Sequence, residues 1–115
     1  MKDPEELARL LKVLSVGTRV RIVRLLAGRA LCVNALAARL DVTQGAVSQH
    51  LRVMRDAGLV IDDRRGCFVH YRLNEDALAA WRGEIDRLLA PRPPADEDAG
   101  QRPCAGGGMK RTPRR

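Results

Sequence analysis

The stretch that decides the fold is Asp41–Val60, which reads DVTQGAVSQHLRVMRDAGLV. Thr43 is a favourable N-cap, because its hydroxyl can accept a hydrogen bond from a backbone amide of the first helical turn. Apolar residues then recur at helical spacing and form one side of the helix: Val47, Leu51 and Met54. Gly58 marks the end of the helix, since glycine readily adopts the left-handed conformation found there. The pattern predicts a tight turn followed by an amphipathic helix.

The other side of this helix carries amides, a hydroxyl and arginines. We expect Gln44, Ser48 and Gln49 to reach base edges in a major groove, which amide and hydroxyl groups can read. Thr43 and Arg52 are expected to contact phosphates, which position a protein on the duplex. A helix face that is merely solvated does not need this combination of amides, a hydroxyl and arginines. The side chains therefore predict a DNA recognition helix.

Two helices, a strand-like segment and a third, short helix precede the recognition helix. The first helix is expected after Asp3 and the second from Gly17. The segment 30–34 alternates like a strand, which leaves Cys32 facing away from the core. Asn34 is then predicted as the N-cap of the third helix. This helix, the turn and the recognition helix form a helix-turn-helix.

The hydrophobic period changes after the recognition helix. Leu59–Ile61 and Cys67–Leu73 are strand-like and flank a polar turn, Asp62–Gly66, which predicts a β-hairpin. Arg64 and Arg65 are expected at its exposed tip, where they can contact a phosphate backbone or a minor groove.

One more helix follows the hairpin. Asn74 is its predicted N-cap and Pro91 its end. The expected fold is therefore mainly α with a small β-hairpin: a winged helix-turn-helix of about five helices. Residues 1–90 are predicted to form one DNA-binding and dimerisation domain, and residues 91–115 a disordered basic tail.

Composition agrees with a nucleic-acid partner. The 115 residues include 21 Lys and Arg against 14 Asp and Glu, a net charge of +7. Such a surplus favours polyanions, because phosphate contacts release condensed counterions. No apolar run reaches the roughly 18 residues of a membrane span, and the first residues show no signal peptide. We expect a cytoplasmic protein that does not associate with membranes.

The terminal helices each carry an apolar stripe that a small monomer has difficulty covering. The residues of the two stripes are Leu7, Leu10, Leu11 and Leu14 in the first helix, and Leu78, Trp81, Ile85 and Leu88 in the last. We expect a two-fold homodimer through these helices. The alternative is that both helices pack on their own core. A dimer would present two recognition helices to an imperfect palindrome of double-stranded DNA.

Several motifs together resemble the ArsR/SmtB family of bacterial winged-helix repressors. They are LSVGTRVRIVRLL at Leu14–Leu26, LCVNALA at Leu31–Ala37, VSQHL at Val47–Leu51, GLV at Gly58–Val60 and VHYRL at Val69–Leu73. The likeness covers residues 5 to 90, with Gly17 where the family usually has proline. It implies a homodimer that blocks a promoter until an effector, often a metal ion or a thiol-reactive species, weakens its hold on DNA.

The effector site departs from the family pattern. Arsenic- and cadmium-type members carry Leu-Cys-Val-Cys at the third helix, whereas this chain has Cys32 followed by Asn34, a poor ligand for a soft ion. We expect Cys32 and Cys104, with Cys67 as a third ligand, to bind arsenic(III) or another soft metalloid as inducer, with no cofactor required. A redox or sulfane-sulfur switch through these thiols is the first alternative. The second alternative gives the cysteines no role.

No catalytic residues are predicted. His50 lies in the recognition helix and is expected to hydrogen-bond within the fold or to a phosphate, and His70 is expected to be an exposed strand residue. Neither has a nucleophile at a suitable spacing, so an enzyme is not expected. A winged helix that binds a protein rather than DNA remains an alternative.

Overall fold

The computed structural model describes residues 3–94. Five helices and three strands follow in the order α1 (Pro4–Leu14), α2 (Gly17–Leu25), β1 (Leu31–Cys32), α3 (Val33–Leu40), α4 (Gln44–Asp56), β2 (Val60–Arg65), β3 (Phe68–Leu73) and α5 (Glu75–Leu89). Within these residues the predicted winged helix-turn-helix is confirmed. None of the described helices has the length and apolarity needed to cross a membrane. Cys104 and most of the predicted disordered tail lie outside the described residues.

The turn between α3 and α4 holds the two helices of the helix-turn-helix together. Asp41 adopts a left-handed conformation with φ 59°, and the Val42 amide donates to the Ala37 carbonyl at 3.2 Å. This is the hydrogen-bond pattern that closes a helix at a left-handed residue. The Thr43 hydroxyl then accepts from the Ala46 amide at 3.1 Å, which confirms the predicted N-cap of α4.

The start of α3 differs from the prediction. Asn34 is not the N-cap: the helix begins at Val33 and Cys32 takes the cap position in an extended conformation, without a side-chain cap hydrogen bond. The strand is correspondingly short, Leu31–Cys32, because it is confined to the two residues that pair with β3. Alternation over 30–34 identified a strand, but only the partner strand sets its length.

The three strands form one antiparallel sheet in the order β1-β3-β2. We call the β2–β3 hairpin the wing. The predicted turn at Asp62–Gly66 is wrong: β2 continues to Arg65, and only Gly66 and Cys67 connect the strands. Gly66 has φ +63°, which a two-residue hairpin turn requires and glycine adopts easily. Cys67 therefore lies in the turn, not at the start of β3.

The polar residues of β2 form charge pairs with each other, with β3 and with α4. The Arg72 guanidinium in β3 donates to the Asp63 carboxylate at 3.4 Å, and Arg65 lies 3.8 Å from the same carboxylate. Arg55 at the end of α4 donates to Asp62 at 3.4 Å. These exposed pairs contribute little energy each, but they give every acid in the predicted loop a partner in the strand conformation.

The core runs from α2 to α5 beneath the sheet. Its buried residues are Ile22, Leu26, Leu36, Ala37, Val47, Leu51, Met54, Leu59, Val60, Leu73 and Trp81. Asn74 joins three elements at the edge of this core, because its side chain accepts from the Ala77 amide at 3.2 Å and donates to the Gly58 carbonyl at 3.0 Å. The predicted cap of α5 is thereby confirmed.

Some residues of the two apolar stripes are buried in the core of the protomer, and others remain exposed at its surface. Trp81 is only 6% exposed and belongs to the protomer's own core, contrary to the expectation that a single protomer cannot cover it. Leu7 is also buried, and Leu10, Leu14 and Leu78 pack partly against the core. Ile85 is half-buried. Leu11 and Leu88 remain 37% and 48% exposed.

Candidate nucleic-acid interface

The three residues predicted to read bases share the open side of α4. Gln44, Ser48 and Gln49 are exposed, while the opposite side of the helix is buried in the core through Val47 and Leu51. The burial of that side fixes the rotation of α4 about its axis, so the amides and the hydroxyl point to solvent because of packing. This side of the helix can donate to and accept from base edges.

Cations border this surface on the wing side. Arg52 is exposed, and it lines a small cleft between α4 and the wing together with Ser48, Arg55 and Tyr71. Arg55 is held by Asp62 and so links the end of the helix to the wing. The link was not predicted, although Asp62 beside a basic helix end was a usable signal. Thr43 is exposed too, with its hydroxyl occupied in capping α4.

The wing carries its arginines on two different faces. Arg64 lies opposite Val69 and Arg65 opposite Phe68 in the register of β2 and β3, and neighbouring strand residues point to opposite faces. Both are exposed. Arg65 shares Asp63 with Arg72, whereas Arg64 has no carboxylate partner among residues 3–94. Both guanidinium groups are placed near the end of the wing, and Arg64 keeps its charge uncompensated.

His50 connects the recognition helix to the first two helices. The Arg19 Nε–H donates to the Nδ1 atom of His50 at 3.1 Å, and Arg19 Nη1 donates to the Val13 carbonyl at 3.1 Å. Burial away from water, followed by the positive charge of Arg19, lowers the pKa of His50 below its ordinary value of 6.5. The neutral imidazole is therefore favoured, and it acts as the acceptor that ties α4 to Arg19.

The described thiols lie close to the helix-turn-helix and the wing. Half-buried Cys32 and exposed Cys67 line the same shallow cleft of about 170 Å³, together with Asn34 and Phe68. Within residues 3–94, no three His, Cys, Asp or Glu side chains are grouped closely enough to hold a metal ion. The two thiols thus share a surface but do not form a complete metal site by themselves, and Cys104, predicted to bind the effector together with Cys32, is outside the described range.

His70 differs from its predicted exposed position. It lies in the central strand β3, opposite Cys32 of β1 and Asp63 of β2, and it is half-buried. Its Nδ1 atom is buried without a hydrogen-bond partner, and its ring meets Phe68 edge to face at 6.5 Å. Sequence reasoning missed this because it did not pair β1 with the hairpin, and that pairing covers His70 from the second side.

Comparisons with known proteins agree with this geometry. Residues 17–62 match the family described as bacterial regulatory protein, arsR family. The arsenical resistance operon repressor of Escherichia coli K12 is 41% identical over 90 residues, which cover 70% of this chain and 77% of that protein. A crystal structure described as a possible transcriptional regulator for arsenical resistance superimposes with a TM-score of 0.65 at 41% identity, covering 70% of this chain and 84% of the other.

A further similar structure bears on assembly. The winged helix-turn-helix DNA-binding domain of a possible ArsR-family regulator from Mycobacterium bovis is described as homodimeric. It superimposes with a TM-score of 0.61 at 28% identity, covering 73% of this chain and 82% of that domain. With its helix-turn-helix, its paired wing and these relatives, the chain belongs to the ArsR/SmtB family of winged-helix transcriptional repressors.

Proposed function

We propose that this chain is a cytoplasmic, homodimeric repressor that binds an imperfect palindromic operator and is released by a thiol-reactive effector. The observation that carries the DNA-binding part is the exposed row of Gln44, Ser48 and Gln49 on a helix whose other side is buried. In this proposal the row reads bases in the major groove. Arg52 and Thr43 contact phosphates beside the major groove, and Arg64 and Arg65 of the wing contact the DNA backbone or the minor groove.

The dimer follows from what α1 and α5 leave uncovered. Leu11 and Leu88 are large apolar residues exposed on these two helices, and pairing two copies would remove them from water. The homodimeric relative from Mycobacterium bovis supports this assembly. A two-fold axis would then present two α4 helices to half-sites about one turn of DNA apart.

The preferred effector is arsenic(III), because thiolates are soft ligands that suit soft metalloids. Arsenious acid would condense with three thiols, forming three As–S bonds and releasing three water molecules. Cys32 and Cys104 are the proposed main ligands, and Cys67, which lines a cleft with Cys32, is the proposed third ligand. The name of the Escherichia coli relative, an arsenical resistance operon repressor, supports this choice.

Capture of the effector would act on the DNA-binding elements directly. Cys32 is the N-cap of α3 and pairs with β3, and Cys67 lies in the turn of the wing. A ligand that draws the two sulfur atoms together would pull the start of the helix-turn-helix toward the wing tip. Because α4 and the wing must contact one duplex at the same time, a change in their separation would weaken the complex.

The first alternative is a redox switch. Two of the thiols would lose two protons and two electrons to an oxidant such as hydrogen peroxide, which is reduced to water, and would form a disulfide. Cys32 lies opposite His70, three residues from Cys67 along the chain, and a disulfide needs Cα atoms within about 7 Å. This alternative therefore requires Cys67 to move toward Cys32 or Cys104 to be one of the two thiols.

Operator release by single and combined cysteine variants tests the proposal. An operator is first selected from random duplexes by binding to the protein. Release of this operator DNA is then measured after addition of arsenite and, separately, of hydrogen peroxide. Cys32→Ser is expected to abolish the arsenite response while preserving DNA binding. Release by peroxide alone would favour the redox alternative. A full response of the Cys32→Ser, Cys67→Ser, Cys104→Ser triple variant would remove both thiol mechanisms, and failure to bind any duplex at low salt would favour the protein-binding alternative.

A further inference from the structure

A groove between α1 and the end of α4 contains none of the residues proposed above for DNA or effector binding, and Leu10, expected in the dimer stripe, packs partly against the core and lines the groove. It has a volume of about 500 Å³, within the range of roughly 300–1,000 Å³ that is usual for small-molecule sites. Its floor is apolar, formed by Leu10 and Val13 of α1 and by Val53 of α4. Val53 is a large apolar residue of the recognition helix, yet 37% of its surface is exposed. We call this feature the α1–α4 groove.

The rim of the groove is strongly basic. Arg9, Lys12 and Arg19 line it, against a single carboxylate, Asp56. Across the described residues 3–94, none of the three cations takes part in an ion pair. Three cations less one carboxylate give the lining a net charge of +2, and this charge around an apolar floor is complementary to a molecule with an anionic head and a hydrocarbon body.

Arg19 supplies a fixed cation at this rim. Its guanidinium is held by the Val13 carbonyl and by the Nδ1 atom of His50. A guanidinium has five N–H donors, so these two hydrogen bonds orient the group and leave donors for a ligand. A carboxylate suits such a planar donor, since two parallel hydrogen bonds can form at once.

We propose that the α1–α4 groove binds a small amphipathic carboxylate, with its head at the basic rim and its hydrocarbon chain on Leu10, Val13 and Val53. A DNA phosphate is not favoured, because it would leave the apolar floor exposed to water. An apolar helix of a second copy is not favoured either, because it would bury the cations without a partner. The site is separate from the thiols and does not depend on the proposed effector.

Octanoate is a suitable probe for the full-length chain. Octylamine is the control that has the hydrocarbon chain without the anionic head, and acetate is the control that has the anionic head without the hydrocarbon chain. Titration calorimetry at neutral pH and amide chemical shifts measure affinity and place the site. Octanoate is expected to bind and to shift the amides of Leu10, Val13 and Val53. Octylamine and acetate are expected to bind at least about tenfold more weakly, a difference of about 1.4 kcal/mol.

Two matched pairs of variants test the assignment. The Arg9→Gln/Lys12→Gln variant is expected to raise the Kd for octanoate at least about tenfold, whereas Arg21→Gln/Arg24→Gln, with the same change of charge on exposed positions of α2, leaves it unchanged. Val53→Asp should abolish binding, whereas Val20→Asp, at a similarly exposed position, should not. The proposal would be overturned by equal binding of octanoate and octylamine, or by equal effects of the two variants within either pair. It would also be overturned if octanoate did not bind because the chain's own tail or a second copy fills the groove.

Discussion

At the scale of single residues, the proposed DNA surface separates contacts expected to carry sequence information, on α4, from contacts expected to carry charge, on the wing. Gln49 and Gln44 present amides, which can both donate and accept and so distinguish base pairs. Arg65 and Arg64 on the wing present fixed charges, which attract any phosphate backbone. Because both sets are exposed, replacing one side chain should change binding with little effect on the fold.

Replacing Gln49 with alanine is expected to cost about 1–3 kcal/mol of affinity for the selected operator, because a base contact is lost. Affinity for random duplex should change little. Fluorescence anisotropy with both duplexes at one salt concentration measures the difference. Equal losses on operator and random DNA would contradict the assignment of Gln49 to base reading.

Arg65→Ala should affect binding to all DNA sequences, unlike Gln49→Ala. It is expected to weaken binding to every sequence and to reduce the slope of log affinity against log salt by about one, as the loss of one phosphate contact does. Binding measured over a series of salt concentrations gives this slope. An unchanged slope would show that Arg65, beside Asp63 at 3.8 Å, does not contact a phosphate.

The lowered pKa of His50 makes stability depend on pH. The unfolded chain protonates this imidazole more readily than the folded protein does, so unfolding takes up a proton as the pH falls. The stability due to neutral His50 is complete above pH 6.5 and is lost as the pH falls through the lowered pKa. Urea unfolding at several pH values should show this loss, and His50→Gln, which keeps an acceptor for Arg19, should reduce it. A pH dependence that is the same in His50→Gln and in the unchanged chain would contradict the inference.

At the scale of elements, both ends of the recognition helix are closed by local hydrogen bonds. Thr43 caps the start. At the end, the Gly58 amide donates to the Arg55 carbonyl and the Leu59 amide to the Met54 carbonyl, each at 2.9 Å. This pattern is the Schellman motif, which needs a left-handed residue, and Gly58 has φ +81°. The chain then enters the wing in one defined direction.

Gly58→Ala is expected to destabilise the protein by about 1 kcal/mol, because a Cβ atom is strained in the left-handed region although there is space for it. Gly45→Ala is the control. Gly45 lies in the first turn of the same helix, with no positive φ and no neighbour near its Cβ position, so alanine there should leave stability unchanged or raise it by up to about 1 kcal/mol. Thermal unfolding of the two variants measures the contrast, and losses of similar size would show that backbone conformation is not the cause.

At the scale of the whole molecule, the protomer closes its core with Trp81 and leaves Leu11 and Leu88 at its surface. In the proposed dimer, stability of the protomer and formation of the dimer would therefore depend on different residues of α1 and α5. This separation would matter for function, because only a dimer can occupy both halves of a palindrome.

The Leu11→Glu/Leu88→Glu variant is expected to be a folded monomer that has lost most of its affinity for a two-half-site operator. Val20→Glu, at an exposed position of α2, should remain dimeric. Trp81→Ala should instead lower the free energy of unfolding by about 3–5 kcal/mol, the usual effect of removing a buried large aromatic. Analytical ultracentrifugation and thermal unfolding separate these effects. A dimer that persists in Leu11→Glu/Leu88→Glu would place the interface elsewhere.

The amino-acid sequence by itself determined the helices, the N-caps of α4 and α5, and the exposed polar side of α4. These features depend on local hydrogen bonds and on the spacing of apolar residues, as Thr43, Asn74 and Val47 show. It also determined the membership of the ArsR/SmtB family, because the matching motifs lie in these same elements.

Only the tertiary structure decided the limits of the sheet, the place of His70 and the division of the two apolar stripes. The pairing of β1 with β3 shortens the first strand, moves the start of α3 to Val33 and covers His70 from a second side. The core takes Trp81 and leaves Leu88 exposed, although both lie on the same helix. Each of these outcomes depends on contacts between residues distant in the chain, and hydrophobic spacing within one element carries no information about its partners.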